Sequence, residues 1–171
     1  LYAKTGGKLA DFEDHMVKIC KIVGEDVPVS AESTAETTEG MIAEAEHLAS
    51  LAPNIVVKLP VTEQSLPAIH HLAQEGIRVN MTLVFSATQA LLGARAGARY
   101  ISPFVGRFDD IGDEGLDHLA EMVTAVHNFR YGYWDEEGGP EIITASVRTP
   151  HHVTQAAPVS YTHLRAHETR S

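Results

Sequence analysis

Apolar positions along this chain switch between two periods, and the switch repeats. Leu9, Phe12, Met16, Ile19, Cys20 and Val23 recur three or four residues apart, the spacing of one helix face, and Gly24 follows as a stop. Residues 27–32 then read as a strand. Ser33-Thr34-Ala35-Glu36 has the capping-box form and predicts a helix carrying Met41, Ile42, Ala45, Leu48 and Ala49. Residues 54–61 are a β-branched apolar run, the mark of a buried strand. Thr62 is placed to cap a helix with Leu66, Ile69, Leu72 and Ala73 inward and Gly76 at its end. Residues 78–85 predict a strand, and Ser86-Ala87-Thr88-Gln89 is a second capping box before a helix that stops near Gly97. A strand over 99–105, a helix marked by Leu116, Leu119, Met122, Val123 and Val126, and a strand over 141–147 follow. Thr149-Pro150 opens a short helix with proline at its first position.

Strands that alternate with helices imply a parallel sheet with helices packed outside it. Two architectures share that pattern, the doubly wound open sheet and the closed (β/α)8 TIM barrel. No Gly-x-Gly-x-x-Gly follows any strand, which disfavours the nucleotide-binding open sheet. The five βα units fall short of eight, so the barrel reading makes this chain an incomplete barrel. The first residue is Leu1, and from Pro158 the chain loses its rhythm. Residues 1–157 are therefore expected to form the partial barrel domain, and 158–171 a non-native or disordered tail.

Composition narrows the function. The formal net charge of -10 argues against a nucleic-acid or anionic-membrane partner. The single cysteine, Cys20, excludes an intrachain disulfide and fits a reducing compartment, so a cytoplasmic location is expected. No apolar run reaches the roughly 18–20 residues of a membrane span. His70-His71 and His151-His152 are adjacent pairs whose side chains diverge on a helix, so no metal site is expected of them. Tyr131, Tyr133 and Trp134 precede acidic residues and Gly138-Gly139 and read as an exposed loop or a subunit contact, the ordinary surface loop being favoured.

The candidate chemistry starts at Lys58, a lysine inside the apolar run 54–61. Lysine is almost never buried without a partner or a task. Burial disfavours the charged form of an amine, and a neutral amine can condense with a carbonyl to a Schiff base. Residues two apart on a strand share a face. By that rule Ser30 pairs with Glu32, Val56 with Lys58, Asn80 with Thr82, Ser102 with Phe104 and Ser146 with Arg148, while Arg107 lies just past its strand. Each strand thus offers a polar group near its C-terminal end, where barrel enzymes keep their sites. Lys58 would be the nucleophile and Glu32 an acid or base. Thr82 could hold a water that relays protons. Asn80, Ser102 and Ser146 could bind hydroxyls. Arg107 and Arg148 suit a phosphate.

Five segments resemble the transaldolase family of class I aldolases, which includes the short-form transaldolases and the fructose-6-phosphate aldolases. They are Val29-Ser30-Ala31-Glu32, Ile55-Val56-Val57-Lys58-Leu59-Pro60, Asn80-Met81-Thr82-Leu83-Val84-Phe85-Ser86, Ile101-Ser102-Pro103-Phe104-Val105-Gly106-Arg107 and Ala145-Ser146-Val147-Arg148. The resemblance spans about residues 1–157. It implies a (β/α)8 barrel in which Lys58 forms the Schiff base with a ketose phosphate. Glu32 and Thr82 match the family's proton-transfer positions, Asn80 and Ser102 its hydroxyl-binding positions, and Arg107, Ser146 and Arg148 its phosphate site. Glutamate at 32 and phenylalanine at 104 resemble transaldolases, whereas the aldolases carry glutamine and tyrosine there. The implied activity is transfer of a dihydroxyacetone unit from a ketose phosphate to an aldose phosphate, a step of the pentose phosphate pathway. The runner-up readings are a fructose-6-phosphate aldolase and an inactive sugar-phosphate-binding fragment. The iminium is itself the electron sink, so neither cofactor nor metal is expected. Sugar phosphates are the expected partners, within a homo-oligomer. The family's catalytic aspartate, its Thr-Thr-Asn-Pro-Ser strand and its eighth strand have no counterpart here.

Overall fold

A computed structural model describes residues 9–128, 134, 139–159 and 164–166. The chain opens on α1 (Leu9–Val23), then alternates β1 (Val29–Glu32), α2 (Thr38–Leu51), β2 (Ile55–Pro60), α3 (Ser65–Gln74), β3 (Val79–Val84), α4 (Ala87–Ala96) and β4 (Tyr100–Pro103). It continues with α5 (Val105–Asp109), α6 (Gly115–Asn128), β5 (Glu141–Ile142), β6 (Thr144–Val147), α7 (Pro150–Val159) and β7 (Leu164–Ala166). Strands β1 to β5 pair in parallel in chain order, and β6 pairs in parallel with β7. β7 lies inside the stretch set apart as a tail.

The sheet has two dry faces, as parallel sheets do. Ala31, Val57, Leu59, Val79, Met81 and Ile101 face the helices and join Leu48, Ile69, Leu72, Leu119 and Met122 in one core cluster. Val56 is equally buried but lies outside that cluster, on the opposite face with Lys58. The C-terminal strand ends on this second face carry the polar residues. An α/β fold with a parallel sheet follows, in the arrangement of a partial TIM barrel.

Three local expectations are corrected. The Ser33 capping box does not open α2. Glu44, nearly two turns into that helix, captures the donors first: Ser33 Oγ at 2.6 Å, and the N–H groups of Thr34 and Ala35 at 3.0 Å each. The cap passes to Thr37, whose hydroxyl accepts from Gly40 N–H at 3.1 Å. Residues 99–105 are not one strand, because β4 ends at Pro103 and Val105 begins α5. The strand predicted over 141–147 is broken at Ile143 into β5 and β6. Ile143 N–H still donates to Ile101 O at 2.8 Å and Phe104 bridges Ala145, so both halves stay beside β4.

Other expectations hold. Ser86 caps α4, accepting from Gln89 N–H at 3.2 Å, and Gly97 closes that helix with φ 103. Thr62 Oγ1 accepts from Ser65 N–H at 3.0 Å at the entrance to α3. Tyr131 and Tyr133 lie outside the described residues. Trp134 is half-buried, its indole N–H donating to Gly97 O at 2.8 Å, so it anchors the turn before β4.

Candidate active site

Parallel pairing sets the site in rows. Glu32 is opposite Lys58, Lys58 opposite Asn80, and Asn80 opposite Tyr100. Paired residues point to the same face, so this row crosses the sheet on the side away from the helices. Thr82 stands one row higher, opposite Pro60. The strand-face reading of Glu32, Lys58, Asn80, Thr82 and Ser102 is thereby realised in space.

Lys58 is 7% exposed. Its Nζ lies 3.3 Å from Glu32 Oε2 and 5.9 Å from the centroid of the Phe104 ring. A carboxylate on one side and an aromatic face on the other are what a desolvated amine needs. Glu32 is half exposed, so its carboxylate faces solvent as well as Nζ.

Asn80 is fully buried and its amide is oriented from both sides. Ser102 Oγ donates to Asn80 Oδ1 at 2.8 Å, and Asn80 Nδ2 donates to Ser30 Oγ at 3.4 Å. Thr82 differs, because its hydroxyl is buried and has no hydrogen-bond partner among the described residues. Such a group costs about 1–3 kcal/mol. Leu83 follows it in the left-handed region, at φ 59, where the β3–β4 register shifts. A bulky residue there stores on the order of 1 kcal/mol of strain. Both costs fall at one strand end.

Phe104 is buried, and Phe85 stands beside it at 6.3 Å between ring centroids. Phe85 also meets Phe108 edge-on at 5.9 Å. Phe104 is the ring beside the amine, and Phe85 packs against it. The sequence reading took Phe85 for a strand end and missed it.

The arginines form a second cluster. Arg107 lies on α5 and Arg148 just past β6, and both reach Asp110. Arg148 grips it with both terminal nitrogens, Nη2 at 2.7 Å from Oδ2, while Arg107 Nη1 is 3.5 Å from the same oxygen. The hydrogen bond to Asp110 pushes the Arg148 pKa further up, so its charge is permanent. Ser146, at φ 57, turns the chain toward Arg148. Gly106 allows this closeness, because a Cβ there would overlap Ser146 O and stand 2.7 Å from Arg148 Nε. Asp109, Asp110 and His152 were missed as partners; the signal available was the Asp-Asp pair directly after Arg107-Phe108. Among the described residues no group of three His, Cys, Asp or Glu side chains is gathered to hold a metal ion.

A match to the family model described as Transaldolase/Fructose-6-phosphate aldolase covers residues 12–162. This chain belongs to that family. Relatives named probable transaldolases include that of Pelodictyon phaeoclathratiforme, 53% identical over 147 residues, covering 86% of this chain and 62% of the relative. That of Thermus thermophilus is 49% identical over 158 residues, covering 91% and 67%. The chain thus spans less than two thirds of the first of these. A solved structure from Coccidioides immitis, described as a "putative fructose-1,6-biphosphate aldolase", aligns with a TM-score of 0.58 at 12% identity, covering 86% of this chain and 54% of that one. It supports the fold alone. Within the transaldolase and fructose-6-phosphate aldolase family, the lysine row and the arginine pair are the two clusters for which a function has to account.

Proposed function

We propose that Lys58 is the Schiff-base nucleophile of a transaldolase. The observation that carries this reading is a nearly buried lysine amine with a half-exposed carboxylate 3.3 Å away. Glu32 takes a proton from the ammonium, and the free amine attacks the ketone carbon of a ketose phosphate. The carbinolamine loses water and leaves an iminium. Removal of the proton from the C4 hydroxyl then breaks the C3–C4 bond, the electron pair passes to the iminium as an enamine, and an aldose phosphate departs. The enamine adds to the aldehyde of a second aldose phosphate, and water returns the lysine.

Thr82 offers its unpaired hydroxyl to a water that carries these protons. Asn80 and Ser102, already bonded to each other, bind substrate hydroxyls with little reordering. Arg107 and Arg148 take the phosphate, whose charge competes with Asp110 for the same two forks. Phe104 favours transfer over release: it seals the amine without a hydroxyl that could protonate the enamine, where the aldolases carry tyrosine.

The test is borohydride trapping of the full-length protein with fructose 6-phosphate. A stable adduct on Lys58, lost in Lys58→Ala, is the expected result. No adduct on well-folded protein refutes the reading and leaves a sugar-phosphate-binding module. Dihydroxyacetone released in quantity without an acceptor aldose phosphate indicates the aldolase instead.

A further inference from the structure

We propose that His152 is the positioning residue of the phosphate clamp, holding the backbone of Arg148 so that its guanidinium meets a sugar phosphate already aimed. The inference rests on the assignment of Arg107 and Arg148 to phosphate.

His152 is 6% exposed, in the first turn of α7. Both ring nitrogens are engaged. Nδ1 accepts from Arg148 N–H at 3.1 Å, and Nε2 lies 2.8 Å from Asp109 Oδ2. An accepting Nδ1 puts the ring proton of a neutral imidazole on Nε2, which then donates to Asp109. His152 N–H donates to Thr149 Oγ1 at 3.2 Å. The arrangement is a capping box with histidine in the glutamate position, reaching back one residue further than usual. Neighbouring His151 is exposed.

Arg148 needs this support. It lies beyond the last residue of β6, so no ladder bond of that strand fixes its N–H. The chain has just turned through the left-handed Ser146. Consecutive carboxylates at the end of α5 then divide the work. Asp109 holds the imidazole that holds the Arg148 backbone, and Asp110 holds the fork of the same arginine. A shift of about 1 Å in such a group is enough to lose tenfold or more in binding and rate.

Two isosteres separate positioning from bulk. Asparagine at 152 carries an oxygen where Nδ1 stands and keeps the bond from Arg148 N–H. Glutamine carries its polar atoms where Nε2 stands and keeps only the bond to Asp109. The readout is the kcat/KM of the full-length protein for fructose 6-phosphate divided by that for fructose, with folding checked by circular dichroism. His152→Gln is expected to lower this ratio about tenfold through KM for the phosphorylated sugar, and His152→Asn to keep it. An unchanged ratio in both variants, or equal loss on both sugars, overturns the inference. Inorganic phosphate binding by calorimetry gives a second readout that needs no imine. Weaker binding in His152→Gln alone supports the latch even if Lys58 forms no adduct, and equal binding in all three proteins overturns it.

Discussion

A single hydroxyl shows how function and stability divide at this site. Thr82 Oγ1 is buried without a partner among the described residues, and the next residue sits at φ 59. Replacing Thr82 by valine keeps the shape and removes the orphaned group, so Thr82→Val is expected to stabilise the fold by on the order of 1 kcal/mol in urea unfolding. The same change removes the proposed proton relay and is expected to lower turnover at least tenfold. A variant that loses stability, or keeps full turnover, counts against the role. At this scale much was legible beforehand. Glu32, Lys58, Asn80, Thr82 and Ser102 could be placed on one face because strand alternation is rigid. Asp109 and Asp110 could not, because they meet His152 and Arg148 across the ends of two different strands and no local period links them.

Elements were legible where one period ran uninterrupted. The strands β2 and β3 and the helix α4 lie within a residue or two of their predicted bounds, and α6 contains every apolar position that marked it. The misses occur where tertiary bonds overrule local pattern. Phe104-Val105 looks extended by composition, yet Val105 opens α5, and Gly115 behind it leaves room for the Val105 carbonyl. The split between β5 and β6 has a similar origin. Its first half is anchored by Glu141, bonded to Arg99 Nη2 at 2.5 Å, while Arg99 Nη1 donates to Gly139 O at 2.9 Å. Arg99 is 8% exposed and Glu141 28%, so the pair is shielded from water. Breaking it from one side takes a charged partner from a buried guanidinium. Glu141→Ala is expected to cost about 2 kcal/mol, less than a fully buried pair because Glu141 is partly wet. Replacing both partners by leucine is expected to cost less than that single change. Denaturant unfolding of the two variants measures the difference, and a double variant worse than Glu141→Ala contradicts this account of the anchor.

At the scale of the molecule, the sheet rather than the helices decides behaviour. Val29 N–H donates to Asn54 O at 2.9 Å and Ser33 N–H to Lys58 O at 3.1 Å, so the odd positions of β1 serve the ladder to β2. The backbone groups of Ser30 and Glu32 therefore point the other way, and no described strand pairs with that edge. Parallel sheets are stable when buried on both faces, and an unpaired edge is a template for another chain. Glu32 and Lys58 lie on the two strands nearest this edge, so whatever covers β1 also shapes the site. The 171-residue chain, taken by itself, is expected to associate through β1 as its concentration rises. Ser30→Pro removes an outward N–H and no bond to β2, so it is expected to shift the chain toward monomer. Sedimentation velocity of the two proteins decides the matter. Equal association of both moves the contact away from β1, and a parent chain that stays monomeric at every concentration shows that the edge is already covered.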